Sequence, residues 1–142
     1  MIRIMVADRP NSSYRLHHVA FAEGPDTSAL HAFTTLLGLP IAHTEVAAGF
    51  VERMLPLGGT CWLQALEASG PGVVAKFLSR RGPGLHHIAL EVEDVATEVE
   101  RLRWRGAELI DDEPRRGGNG SLIAFLHPRS FGGVLVELIQ DP

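Results

Sequence analysis

Four residues of this chain carry side chains that a divalent metal ion takes from a protein, and they come as two pairs. His18 lies in the string Leu16-His17-His18-Val19-Ala20-Phe21-Ala22, and His87 in Leu85-His86-His87-Ile88-Ala89-Leu90-Glu91, 69 residues later. Gln64 follows the first string and Glu137 the second at nearly the same offset, each in a run that reads as the last strand of its half. A polar side chain on a strand among apolar neighbours is costly to bury unless something pairs with it. Two imidazoles, one carboxylate and one amide suit a divalent ion such as Co2+, Zn2+, Mn2+ or Ni2+, with positions left for water or substrate. A lone histidine on a strand is ordinarily a hydrogen-bonded structural residue. Recurrence in one string, with an oxygen-bearing residue at a matching later place, singles these four out. Strand alternation sets His18 and His87 on the face opposite Val19 and Ile88, and it predicts that His17 and His86 point the other way. His31 and His43 lack a repeat partner and read as solvated. His127, before Pro128, reads as a structural hydrogen-bonding residue in a turn, and Trp62 and Phe125 read as core.

The repeat also predicts the elements that position these groups. After each string comes a helix start, Asp26-Thr27-Ser28 in the first half and Asp94 in the second, where a carboxylate can accept from first-turn N–H groups. The helices are expected over Ser28–Leu37 and Val95–Arg105, stopped by Gly38 and Gly106. Leu30, Phe33 and Leu37, like Val95, Val99 and Leu102, fall at helical spacing and give each helix one core face. Strand signals follow at Ile41–Glu45, Phe50–Leu55 and Cys61–Leu66, then at Glu108–Ile110, Leu122–Leu126 and Val134–Ile139. Turn chemistry at Gly58-Gly59 and over His127–Gly133 separates them. Each half therefore reads βαβββ, with a bridging helix over Val73–Arg80. The expectation is a single α+β domain spanning residues 1–142, with modules at about 15–69 and 84–140 joined in a half-open mixed sheet. Arg115 to Gly120 reads as a mobile loop.

The chain has 142 residues, 45% hydrophobic and 21% charged. A core of that size needs no disulfide or structural metal, so a bound metal is free to be functional. Thirteen Lys plus Arg against seventeen Asp plus Glu give a net charge of −4, and the arginines are scattered, which argues against nucleic acid as a partner. Apolar runs fall far short of the roughly twenty residues that span a bilayer, and no targeting signal is visible, so no membrane partner is expected. Cys61 is the single cysteine, which excludes an internal disulfide and a thiolate zinc site and points to the cytoplasm.

Gly82 to Val92, then Glu113-Pro114-Arg115, Phe125 to Ser130 and Gly132 to Leu138 resemble the methylmalonyl-CoA epimerase family of the vicinal oxygen chelate superfamily. Val74 to Leu78 is similar to that family's bridging helix. The resemblance runs from Leu16 to Gln140 and is more specific in the second half. It implies paired βαβββ modules around one metal held by His18, Gln64, His87 and Glu137, an acyl-CoA substrate and a homodimer. The reaction it implies is epimerisation at C2 through an enolate, with Glu137 as one base and a loop glutamate before the third strand as the other. The family loop resembles Glu-Val-Pro-Glu-Gln-Gly, whereas this chain has Glu45-Val46-Ala47-Ala48-Gly49, one residue shorter and lacking the second glutamate. Glu45 is the nearest carboxylate and is assigned the role of second base, with Glu52 on the following strand and His43 just before it. Two other readings keep the fold: a glyoxalase-like lyase or isomerase acting on another small substrate, and a ligand-binding protein without turnover. A ring-cleaving iron dioxygenase is disfavoured by Gln64 as a fourth ligand.

Overall fold

The two histidine strings form the central pair of strands in an eight-stranded sheet. The computed structural model describes residues 14–142, and β1 (Arg15–Glu23) pairs antiparallel with β5 (Gly84–Glu91). On one side of this pair lie β4 (Trp62–Ala68), β3 (Phe50–Pro56) and β2 (His43–Ala47); on the other lie β8 (Val136–Gln140), β7 (Leu122–Leu126) and β6 (Arg115–Arg116). The order β2-β3-β4-β1-β5-β8-β7-β6 makes the second half a pseudo-twofold copy of the first. β1 with β4 and β5 with β8 are parallel, and the remaining pairs are antiparallel, so the sheet is mixed and the fold α+β as expected.

Two helices cover one face of the sheet, and the site lies on the other. Helix α1 (Ser28–Thr35) packs Leu30 and Phe33 on Phe21, Leu55, Leu63 and Ala65. Helix α3 (Val95–Trp104) packs Val95 and Val99 on Ala124, Leu126, Val136 and Leu138. These strand residues alternate with those facing the opposite side, where His18, Gln64, His87 and Glu137 lie. The bridging helix α2 (Val73–Arg81) lies against that second side, with Val74 buried on Ala20, Ala22 and Leu66.

Three local expectations are corrected. The strand anticipated at Glu108–Ile110 is reduced to one bridge between Leu109 and Leu126, and β6 takes the edge position. The carboxylate of Asp111 accepts from the N–H of Phe125 at 2.8 Å, and Pro114 has no N–H to offer, so a regular ladder cannot extend there. Helix α1 ends at Thr35 rather than Leu37. The Thr34 and Thr35 hydroxyls donate back to carbonyls of Leu30 and His31, Leu37 is exposed, and Leu39 packs on the core instead. Asp26 does not cap α1, and Thr27 before the helix adopts a left-handed conformation with φ 46° and no side-chain cap. The buried carboxylate of Glu23, at the end of β1, accepts from the N–H groups of Ala29 at 2.9 Å and Leu30 at 3.3 Å. Burial pushes the Glu23 carboxyl up, and the N–H bonds from Leu30 and Ala29 partly oppose it. Helix α3, by contrast, is capped as its sequence implies, with Asp94 accepting from the N–H of Thr97 at 3.0 Å.

Glu23 thus couples the first strand to the first helix through two otherwise unpaired donors. Glu23→Ala should cost about 1–2 kcal/mol of stability, in the range for loss of an N-terminal cap. Urea unfolding checks this through a lower midpoint at unchanged slope, and an unchanged midpoint would assign α1 another anchor.

Candidate active site

The pairing of β1 with β5 slips twice. Leu16 pairs with Leu90 and His18 with Ala89, so His17 is an extra residue on β1. Ala20 pairs with His87 and Phe21 with Leu85, so His86 is an extra residue on β5. A bulge of this kind bends the strand and re-aims a side chain. The expectation that His17 and His86 face away is therefore overturned: both line the same cavity as His18 and His87.

Three ligand atoms meet at its floor. His18 Nε2 stands 3.0 Å from His87 Nε2, and each is 3.1 Å from Glu137 Oε2. All three residues are buried. Three ligands about 2.1 Å from one ion and at right angles to one another stand about 3.0 Å apart, so the triangle has the size of one face of an octahedral site. Gln64 Oε1, which lines the same cavity, is buried with no hydrogen-bond partner and is free to serve as a further donor. Gln64 also favours the charged form of Glu52. The residues present therefore fit a divalent ion.

Burial pushes the Glu137 carboxyl up, but hydrogen bonds from His18 and His87 and the charges of both rings outweigh it and hold the pKa at about 2. Burial pushes His87 down, opposed by Glu137. His86 is lowered to about 4, chiefly by burial and then by the His87 charge. The contacts to Glu137 need a proton on His18 Nε2 or His87 Nε2, the atoms that would otherwise hold the ion, so proton and metal compete for the same lone pairs.

Above the floor the cavity holds about 570 Å³. Trp62 and Phe125, expected as core, form part of its wall. Phe125 sets its ring edge-on to His87 and carries the Arg115 guanidinium over its face at 5.6 Å, while Asp111 holds Arg115 Nε at 3.1 Å. Apolar side chains form this wall as they would a core, so composition alone could not separate the two roles. The segment expected as a mobile loop is also part of the wall: Arg115 and Arg116 form β6, and the N–H of Asn119 donates to Glu45 at 3.1 Å.

The second carboxylate region lies on the β2–β3 hairpin. Ala47 pairs with Phe50, so Ala48-Gly49 is a two-residue turn, and a Cβ on Gly49 would fall 2.5 Å from the carbonyl oxygen of Pro71. A side chain at Gly49 has no room there. Glu45 and Glu52 are cross-strand partners, and both approach Gly118 from across the cavity: a Cβ on that glycine would stand 3.2 Å from Glu45 and 3.1 Å from Glu52. Burial raises the pKa of Glu52, reinforced by the charge of Glu45. Glu45 is about 42% exposed, and His43 sits 3.5 Å from it at the rim. His31 is exposed, and His127 accepts from the N–H of Arg129 in the turn after β7, as expected of a structural residue.

Residues 17–125 match the Glyoxalase/Bleomycin resistance protein/Dioxygenase superfamily, and the sheet curled around a His-His-Glu cluster is the vicinal oxygen chelate fold of that class. The chain is 37% identical over 132 residues to the ethylmalonyl-CoA/methylmalonyl-CoA epimerase of Cereibacter sphaeroides, covering 89% of this chain and 97% of the relative. It is 35% identical over 136 residues to human mitochondrial methylmalonyl-CoA epimerase, covering 89% and 73%. A Streptomyces coelicolor methylmalonyl-CoA epimerase variant in complex with 2-nitronate-propionyl-CoA superposes with a TM-score of 0.83 at 36% identity, covering 89% of this chain and 94% of that one. The chain belongs to the methylmalonyl-CoA epimerase family of this superfamily and is an isomerase.

The shifted histidines make a signed prediction for the metal-free protein. The folded state holds His86 near pKa 4 and His87 below its ordinary value, whereas the unfolded chain takes protons near 6.5. The unfolded state therefore binds more protons between about pH 6.5 and pH 4, and stability falls as the pH is lowered through that window. The urea midpoint at pH 5 should lie below that at pH 7, and equal midpoints would contradict the burial of these rings.

Proposed function

We propose that the chain epimerises methylmalonyl-CoA or a close malonyl thioester at C2, using one divalent ion held by His18, Gln64, His87 and Glu137. The observation that carries the reading is the convergence of three buried ligand atoms and the orphaned Gln64 oxygen on one face of a cavity. Similarity to epimerases of CoA thioesters supplies the substrate class. A bound divalent ion supplies Lewis-acid stabilisation of negative charge on the thioester oxygen when C2 loses its proton. Cobalt and a homodimer are parts of the same reading and rest on the family, and cytoplasmic residence rests on the single cysteine.

Glu137 is the base on one side of C2. Its carboxylate stays ionised at neutral pH, and burial excludes water from the proton it moves. Inversion requires a second group on the opposite side. The Glu45–Glu52 pair takes this part in place of the missing loop glutamate. Glu52 is the deeper member and holds a proton more readily because it is desolvated beside Glu45, while Glu45 is fixed by the N–H of Asn119. Arg115 and Arg116 line the cavity and offer positive charge to an anionic substrate.

Replacing His18 or His87 with Ala should abolish stoichiometric Co2+ binding with little change in the far-ultraviolet circular dichroism, because the core does not depend on the ion. Metal analysis checks this, and a tightly bound ion in the double variant would show that the ligands lie elsewhere. The reaction is tested in heavy water with Co2+-loaded protein, following the C2–H signal of methylmalonyl-CoA and its diastereomer ratio together. The wild type should exchange and interconvert. Glu137→Gln should lose both by about 100-fold or more. Glu52→Gln, and less so Glu45→Gln, should lose interconversion more than exchange, because Glu137 can still return a deuteron to its own side. Absence of both processes in the metal-loaded wild type would overturn the reading in favour of a ligand-binding protein of the same fold.

A further inference from the structure

The outer histidines of the two strings, His17 buried and His86 half-buried, are left unused by the proposed reaction, and the modules hold them differently. His17 Nε2 lies 3.2 Å from Asp141 Oδ2, and His17 Nδ1 lies 2.7 Å from His18 Nδ1. An ionised carboxylate only accepts hydrogen bonds, so the proton on the first contact belongs to His17 Nε2. A neutral imidazole has one N–H and one lone pair, which makes His17 Nδ1 an acceptor. The 2.7 Å contact then requires hydrogen on His18 Nδ1. Nε2 of His18, 3.0 Å from His87 Nε2 and 3.1 Å from Glu137, is then the atom that faces the ion when one is bound; without the ion the same atom can carry a proton toward Glu137.

We propose that Asp141 is a positioning residue for the metal centre: acting through His17, it fixes His18 with hydrogen on Nδ1 and so presents Nε2 to the ion. The inference rests on the metal reading given above. Its geometry follows from the strands. Alternation along β8 and the residue after it puts Glu137, Ile139 and Asp141 on the cavity face, so one stretch of chain supplies both a ligand and the group that orients another ligand. The bulge at His17 closes the distance, since a regular strand would turn that ring away. In the second module, His86 Nδ1 similarly meets His87 Nδ1 at 2.9 Å, but its ring packs on Phe77 with centroids 4.7 Å apart. Packing steadies that ring where an acid fixes the first. Partners that fix the tautomer and direction of a ligating imidazole commonly change metal affinity by 10- to 100-fold when removed.

The test uses the full chain and Co2+ alone. Asp141 is about half exposed, so its truncation leaves no buried void. Asp141→Ala should weaken Co2+ binding by about tenfold or more in competition with a chelator. Asp141→Asn, whose amide oxygen can still accept from His17 Nε2–H, should stay near the wild type. Long-range 1H–15N spectra of the metal-free protein supply a second readout. The wild type should show His17 with hydrogen on Nε2 and a bare Nδ1, and His18 with hydrogen on Nδ1; Asp141→Ala should lose this fixed pattern. Wild-type affinity in Asp141→Ala, or hydrogen on Nδ1 of His17 in the wild type, would overturn the proposal. Failure of the wild type to bind Co2+ would instead strike the metal reading, and the ring-nitrogen spectra would still decide the relay.

Discussion

The site depends on one constraint, the pairing of β1 with β5 through two opposed bulges. Each strand gives up one regular ladder position, and in return two adjacent histidines reach the same side of the sheet. Because the bulges are related by the pseudo-twofold, the inner histidines meet at 3.0 Å and the outer ones stand behind them. The parallel strands β4 and β8, one on each side of this pair, then bring Gln64 and Glu137 to the same place from opposite directions. No loop is needed to build the floor of the cavity, which sits on the four innermost strands of the sheet.

The two modules have diverged around that shared floor. The first contributes an amide where the second contributes a carboxylate, so the ligand set has one fewer negative charge than strict symmetry would give. The first module also carries the Glu45–Glu52 pair opposite Glu137. The Ala48-Gly49 turn is pressed against Pro71 at Gly49, and the register of β2 with β3 sets Glu45 beside Glu52. On the proposed reading the second acidic function sits on a strand pair rather than a loop tip, where burial and a like charge tune it.

Much of this was legible in the residues, for identifiable reasons. Duplication leaves a string that can be compared with itself, so the sheet halves and the four ligand candidates could be read without knowing any contact. What alternation misread was the outer histidines, because a bulge has no strict residue signature. The signal lay in the doublets themselves: two adjacent polar residues on an otherwise apolar strand cannot both face a polar cavity without an extra residue in the ladder. Glu23 escaped for a different reason. Rules for helix starts look to the residue just before the helix, and here the acceptor comes from the preceding strand. Trp62 and Phe125 could not be told from core because a substrate cavity in this fold is walled by the same residue types. The raised pKa of Glu52 depends on its depth and on Glu45 across the strand pair, and neither is written in local sequence.

The central claim is that the duplicated strands converge on one ion site with two imidazole nitrogens, one carboxylate oxygen and one amide oxygen. Crystals of the Co2+-loaded protein, with diffraction recorded on both sides of the cobalt absorption edge, test it most directly. The account predicts one anomalous peak per chain, about 2.1 Å from His18 Nε2, His87 Nε2, a Glu137 carboxylate oxygen and Gln64 Oε1. A peak elsewhere, or one from which Gln64 or either inner histidine is absent, would contradict it.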